Sequence, residues 1–194
     1  LVPGEKIQIE SPFRVKIPGD FSRLGHVNQS YQISQWYPKP AVYDSDGWHH
    51  FPYLNQGEFY SEFGSFDVEI TLPENYIVAA TGQLVGEANQ AFLEDRIMAG
   101  MQAWTKKAHP PSSTKMRTWK FLANQIHDFA WFADKRFIVK SDTISVEDRE
   151  DSLPVFTYFL HGNKSNWQGA VEYLKDGVKF YSGRLGPYPY PQVS

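Results

Sequence analysis

The sequence predicts a mainly β protein, an antiparallel β-sandwich followed by one long helix, on three observations. Residues 65–73 (SFDVEITLP) alternate Phe66, Val68, Ile70 and Leu72 with Asp67, Glu69 and Thr71, the period of a strand with one dry and one wet face. Segments of this kind are short, recur along the chain, and are separated by Pro, Gly, Asn and Asp. Near the end the period changes: Trp167, Ala170, Val171, Leu174, Val178, Tyr181 and Leu185 share one face of a helix.

The elements follow in order. KIQIESPFRVKIP (residues 6–18) reads as two extended segments around Pro12, carrying Ile7 and Ile9, then Phe13, Val15 and Ile17. SYQISQWYP (30–38) alternates until Pro38 stops it. The strand at 65–73 is followed by YIVAATGQLVG (76–86) as its partner, and RTWKFLAN, RFIVKSDTISVE and LPVFTYFL are later strands. NQAFLEDRIMAGMQAWTKKA (89–108) places Phe92, Leu93, Ile97, Met101 and Trp104 near helical spacing, which predicts a short exposed helix inserted between strands. For the final helix, Ser165 or Asn163 is the expected N-cap, and Gly183 or Gly186 the expected stop. A run of strands followed by this helix predicts a boundary near Gly162, giving a β domain over 1–162 and the start of a second domain over 163–194.

Composition excludes several classes. A net charge of −3 without a basic stripe argues against a nucleic-acid partner. No apolar run approaches the roughly 20 residues of a membrane span. Without cysteine there is no thiolate chemistry and no disulfide. LVPGEK resembles no signal peptide, and the chain reads as an excised piece. The one excess is aromatic, at 16% of residues, and it concentrates in QWYPKPAVYDSDGWHHFPYL (35–54).

Each candidate for chemistry meets a competing structural reading. His49 and His50 are adjacent, so on a strand they point to opposite faces and chelate one ion poorly. Asp44-Ser45-Asp46-Gly47 copies the opening of a calcium loop, but Asn55 stands where the closing glutamate belongs, and a tight turn explains it better. Trp36, Tyr37, Tyr43, Trp48, Tyr53, Phe59 and Tyr60 could stack sugars, although rings more often fill cores. Glu58 and Glu62, if extended, lie about 13 Å apart, too far for a glycosidase pair. His127-Asp128 has no nucleophile beside it and reads as a structural hydrogen-bonding pair. No HExxH, GxSxG or phosphate loop occurs, so no catalytic residue is assigned.

Four phrases carry a resemblance: SQWYPKPAVYDSDGW (34–48), GEFYSEFGSFDVEITLPENYIVAATGQL (57–84), IHDFAWFAD (126–134) and GPYPYPQ (186–192). In this order and spacing they resemble the front part of a bacterial zinc aminopeptidase, of the family of aminopeptidase N and leukotriene hydrolase. The resemblance covers most of the chain and is weakest over 88–115. It implies a saddle-like N-terminal β-sandwich before a thermolysin-like catalytic domain, whose first elements are the long helix and GPYPYPQ. Zinc, held by HExxH and a later glutamate, would be bound by sequence beyond Ser194 and by nothing in this piece. The implied partner is a peptide substrate held by that absent domain, and the implied setting is extracytoplasmic in a bacterium. Many members carry Q-x-E or Q-x-Q where the third side chain holds the substrate's α-ammonium group. Here the triplet is Gln35-Trp36-Tyr37, and a phenol carries no charge at neutral pH. Gln35 and Tyr37 are therefore expected to line the substrate end of the cleft, with Gln35, Glu58 or residues beyond the chain supplying what Tyr37 lacks. Trp36 and Trp48 are expected to pack in that wall. The alternatives are a standalone carbohydrate- or protein-binding sandwich module, and a non-catalytic descendant of the peptidase kept as a scaffold. The last helix, exposing an apolar face, is expected to self-associate.

Overall fold

The computed structural model describes residues 2, 4–19, 23–52, 54, 56–57, 59–100 and 108–194. Tyr53, Asn55, Glu58, Met101 and Trp104, named above, lie outside them. The chain is mainly β, with antiparallel strands in several sheets. The strands β1 (Leu24–Val27), β2 (Ser30–Ile33), β9 (Trp131–Asp134) and β6 (Ile77–Ala80) form one sheet in the order β1-β2-β9-β6. A second joins β5 (Gly64–Pro73), β8 (Met116–Ile126) and β7 (Gln83–Val85) as β5-β8-β7. Two hairpins complete the set, β3 (Val42–Asp44) with β4 (Gly47–His49), and β10 (Ile138–Ile144) with β11 (Leu153–Phe159). The helices are α1 (Glu87–Ala99), the one-turn α2 (Lys164–Trp167) and α3 (Ala170–Leu185). No helix among the described residues is long and apolar enough to cross a membrane.

The alternation in β5 does what its period requires. Phe66, Val68 and Ile70 pair across to Ala123, Phe121 and Trp119 of β8, and these six side chains face one way. They join Ile77, Val78 and Ala133 of the four-stranded sheet, and Leu93 of α1, in a single apolar cluster. A smaller cluster holds Ile144, Leu153 and Val155 of the β10–β11 hairpin against Val171 and Val178 of α3. Val193 closes that cluster through a parallel bridge to Val155, its N–H donating to Pro154 O at 3.0 Å and its carbonyl accepting from Phe156 N at 2.8 Å.

Four expectations need correction. Residues 6–18 form no strand among the described residues, and Ile7 and Ile9 are 64% and 79% exposed. Alternation alone stabilises nothing without a partner edge to pair with. Residues 76–86 are two strands in different sheets, neither of them paired with β5, because the chain turns at Gly82 with φ +86°. A Cβ there would sit 2.5 Å from Leu122 O, so only glycine lets the turn lie against β8. The inserted helix is only partly exposed: Leu93 is buried and Phe92 packs edge-on to Trp119 at 5.7 Å. Finally, α3 starts after Gly169 with no side-chain cap, so neither Asn163 nor Ser165 is its N-cap; Gly186 at φ +102° ends it, and Gly183 lies inside.

One buried polar group sits in the main sheet. Asp134, fully buried, is met by Arg136 Nη2 at 2.8 Å, and His109 Nε2 lies 3.3 Å away. Burial works to raise its pKa, but the Arg136 side-chain and backbone bonds, Ser30 and the guanidinium charge together hold the carboxyl below its usual range.

Candidate functional site

The site forms where the chain leaves β2. Ile33 still pairs with Trp131 of β9, and Ser34 Oγ donates to Arg23 O at 2.7 Å. Gln35 then adopts φ +54°, a left-handed conformation that side chains other than Asn and Asp seldom take. Gln35 and Tyr37 both reach the link between β8 and β9, where Asp128 stands. Gln35 Nε2 donates to Asp128 Oδ2 at 2.9 Å, and the Tyr37 hydroxyl donates to Oδ1 at 3.2 Å. The backbone N–H of Phe129 also donates to Oδ1, at 2.9 Å, and Lys39 Nζ lies 2.8 Å from the same oxygen. Three side chains from one short loop thus converge on one carboxylate.

The loop is held by its rings. Trp36 Nε1 donates to Phe129 O at 3.0 Å, and its ring stands edge-on to Trp131 at 6.5 Å. Tyr37 packs edge-on to Phe66 at 5.7 Å, which ties the loop to the inner face of β5. Burial, then the Asp128 charge and hydrogen bond, push the Tyr37 phenol well above its ordinary pKa. It is therefore a neutral donor at physiological pH. One atom is left over: Gln35 Oε1 is buried with no hydrogen-bond partner among the described residues. An orphan acceptor next to a strained backbone is where a ligand group is expected.

Asp128 also borders a cavity of about 280 Å³, together with His127, Gly82, Tyr188, Tyr190 and Gln192. The tail that supplies the two tyrosines is held by Arg149, which donates to Tyr188 O at 2.7 Å and Tyr190 O at 2.9 Å. A larger cavity, about 1080 Å³, lies elsewhere and is lined by Ala79, Phe132, Phe156, Tyr158 and Leu174 among others. It takes in neither Gln35 nor Tyr37, so size alone does not locate the polar site.

The structure brings the two expected residues, Gln35 and Tyr37, together and adds two that sequence reasoning missed. Asp128, which reads from the sequence as half of a polar pair making structural hydrogen bonds, makes them with Gln35, Tyr37 and Phe129 N–H, while the ring of His127 meets Phe63 at 5.6 Å. For Lys39 the sequence offers one signal, its place between Pro38 and Pro40 in a segment that carries the resemblance.

The other candidates separate cleanly. Asp44 accepts from Asp46 N at 2.9 Å and lies 2.7 Å from His49 Nε2, so DSDG is the turn of the β3–β4 hairpin. The His49 contact and then the Asp46 backbone bond lower the Asp44 pKa. His50 and Glu62 are exposed. Among the described residues no group of three or more His, Asp or Glu could hold a metal ion. Trp48 does not pack in a wall: it is 66% exposed and contacts Tyr43, itself 67% exposed, with ring centroids 4.9 Å apart. The chain matches no protein-family model and no curated protein.

Proposed function

We propose that this chain is the N-terminal, substrate-side part of a zinc-dependent aminopeptidase resembling aminopeptidase N and leukotriene hydrolase, and is not catalytic by itself. In this reading the three- and four-stranded sheets are the layers of a saddle-like β-sandwich, a reading supported by the core they share. Residues 163–194 begin the catalytic domain, seated on β10 and β11 through the smaller cluster. The observation that carries the reading is Asp128, a carboxylate dressed by Gln35 and Tyr37, with Gln35 strained and its amide oxygen unpartnered. A carboxylate fixed in a partly dry pocket attracts a cation, which suits a peptide's free α-ammonium group. Asp128, now paired with Lys39 at 2.8 Å, supplies the charge that Tyr37 lacks, while Gln35 and Tyr37 hold it in place. The described residues do not fit a zinc site, so no hydrolytic step is derived from this chain. The metal ligands, the peptide substrate's scissile end and the extracytoplasmic setting rest on the resemblance alone.

In the full-length enzyme, Gln35→Ala and Tyr37→Phe should raise KM for peptides with a free amino end and leave N-acetylated peptides unaffected. An unchanged KM for both substitutions would remove the proposal. A second reading, a carbohydrate-binding module, is favoured only by the exposed Tyr43–Trp48 pair, since such rings can stack on sugar faces. Glycan-array binding that is lost in Trp48→Ala would support that reading instead.

A further inference from the structure

Asp128 is not waiting for a cation. Lys39 Nζ already lies 2.8 Å from its Oδ1, and the lysine side chain is only 15% exposed. The same ammonium is 5.5 Å from the Tyr37 ring centroid and 5.7 Å from that of Phe59. Both distances fall within the roughly 6 Å at which a cation is drawn to an aromatic face. One carboxylate and two rings around a primary ammonium are the recognition elements an amine-binding site requires.

We infer that Lys39 is the resident occupant of an ammonium cage built by Asp128, Tyr37 and Phe59, and that a ligand's ammonium group enters only by displacing it. This rests on the amine-recognition reading above. The flanking residues suit the role. Pro38 fixes its own φ, and Pro40 restricts Lys39 to extended backbone, so exchange is left to the flexible four-carbon stem. Gln35, whose amide N–H donates to the other oxygen of the same carboxylate, keeps its Oε1 buried and without a partner among the described residues. The ligand class is a primary ammonium at the end of a chain, as in a peptide's amino terminus. Lys39 sets a threshold: weak amines fail to displace it, and ligands with further contacts succeed.

The test titrates n-butylammonium into the chain, following the Trp36 indole N–H resonance beside the cage. N-butylacetamide is the uncharged control. Lys39→Met, which keeps the stem and loses the charge, should bind n-butylammonium about tenfold or more tighter, since a tethered competitor acts at high effective concentration. Lys39→Arg should resemble the parent, and N-butylacetamide should bind to neither. Should Lys39→Met lose the parent's dispersed spectrum, Lys39→Gln replaces it. Equal affinity in parent and Lys39→Met would overturn the resident-lysine inference while leaving amine recognition standing. No binding in any variant would overturn both, and equal binding of N-butylacetamide would show that hydrocarbon, not charge, is read.

Discussion

At the residue scale the site depends on which groups stay protonated. Tyr37 is useful to Asp128 only as a phenol, and four buried or half-buried tyrosines, Tyr37, Tyr76, Tyr158 and Tyr188, have their pKa values raised. Burial leads in each case: Tyr76 is raised to about 12, with the Tyr31 charge adding to burial, and Tyr37 and Tyr158 are raised further. An unfolded tyrosine ionises near 10, so above about that pH the unfolded chain releases protons that the folded chain keeps. Their contribution to stability is full below about pH 10 and is lost as pH rises towards the folded values. Lys135, whose pKa burial lowers, works the opposite way below its unfolded value, so the parent's slope mixes both. The comparison that isolates the tyrosines is the urea midpoint between pH 8.5 and about 10.5. Tyr158→Phe should lose stability less steeply than the parent across that window. Parallel slopes in the two proteins would contradict the assignment.

At the element scale the decisive feature is the turn at Gly82, which sends one apolar run into two sheets. With φ +86° and Leu122 O 2.5 Å from an added Cβ, Gly82→Ala meets backbone that cannot move without disturbing the β7–β8 pairing. The expected cost is about 2–3 kcal/mol, more than an ordinary surface change, from strain and overpacking together. Chemical denaturation measures it directly. A loss below about 0.5 kcal/mol would mean the turn can relax. The same turn borders the cavity beside Asp128, so the variant should also disturb the Trp36 resonance.

At the scale of the whole molecule, α3 is only half covered. Its first turns bury Ala170, Val171 and Val178 against the β10–β11 hairpin, whereas Tyr181 and Leu185 at its far end are 62% and 81% exposed. Phe180 and Tyr173 are exposed as well. An apolar surface of this kind favours contact with another copy. Sedimentation should show association that rises with concentration and is suppressed in Tyr181→Lys/Leu185→Lys. A parent that stays monomeric at every concentration would refute this.

Periodicity by itself determined the mainly β class, the wet and dry faces of β5, the strands β10 and β11, and the amphipathic α3. These are local properties: which side of a segment meets water is written in neighbouring residues. The resemblance drew attention to Gln35 and Tyr37 but left their charge unexplained. Only the tertiary structure decided that residues 6–18 form no strand among the described residues, that 76–86 divides between sheets, and that Asp128 meets Gln35 across 93 positions of sequence. Partner choice depends on which edges and carboxylates folding brings together, and a spacing rule confined to a few neighbours carries no record of a contact so distant along the chain.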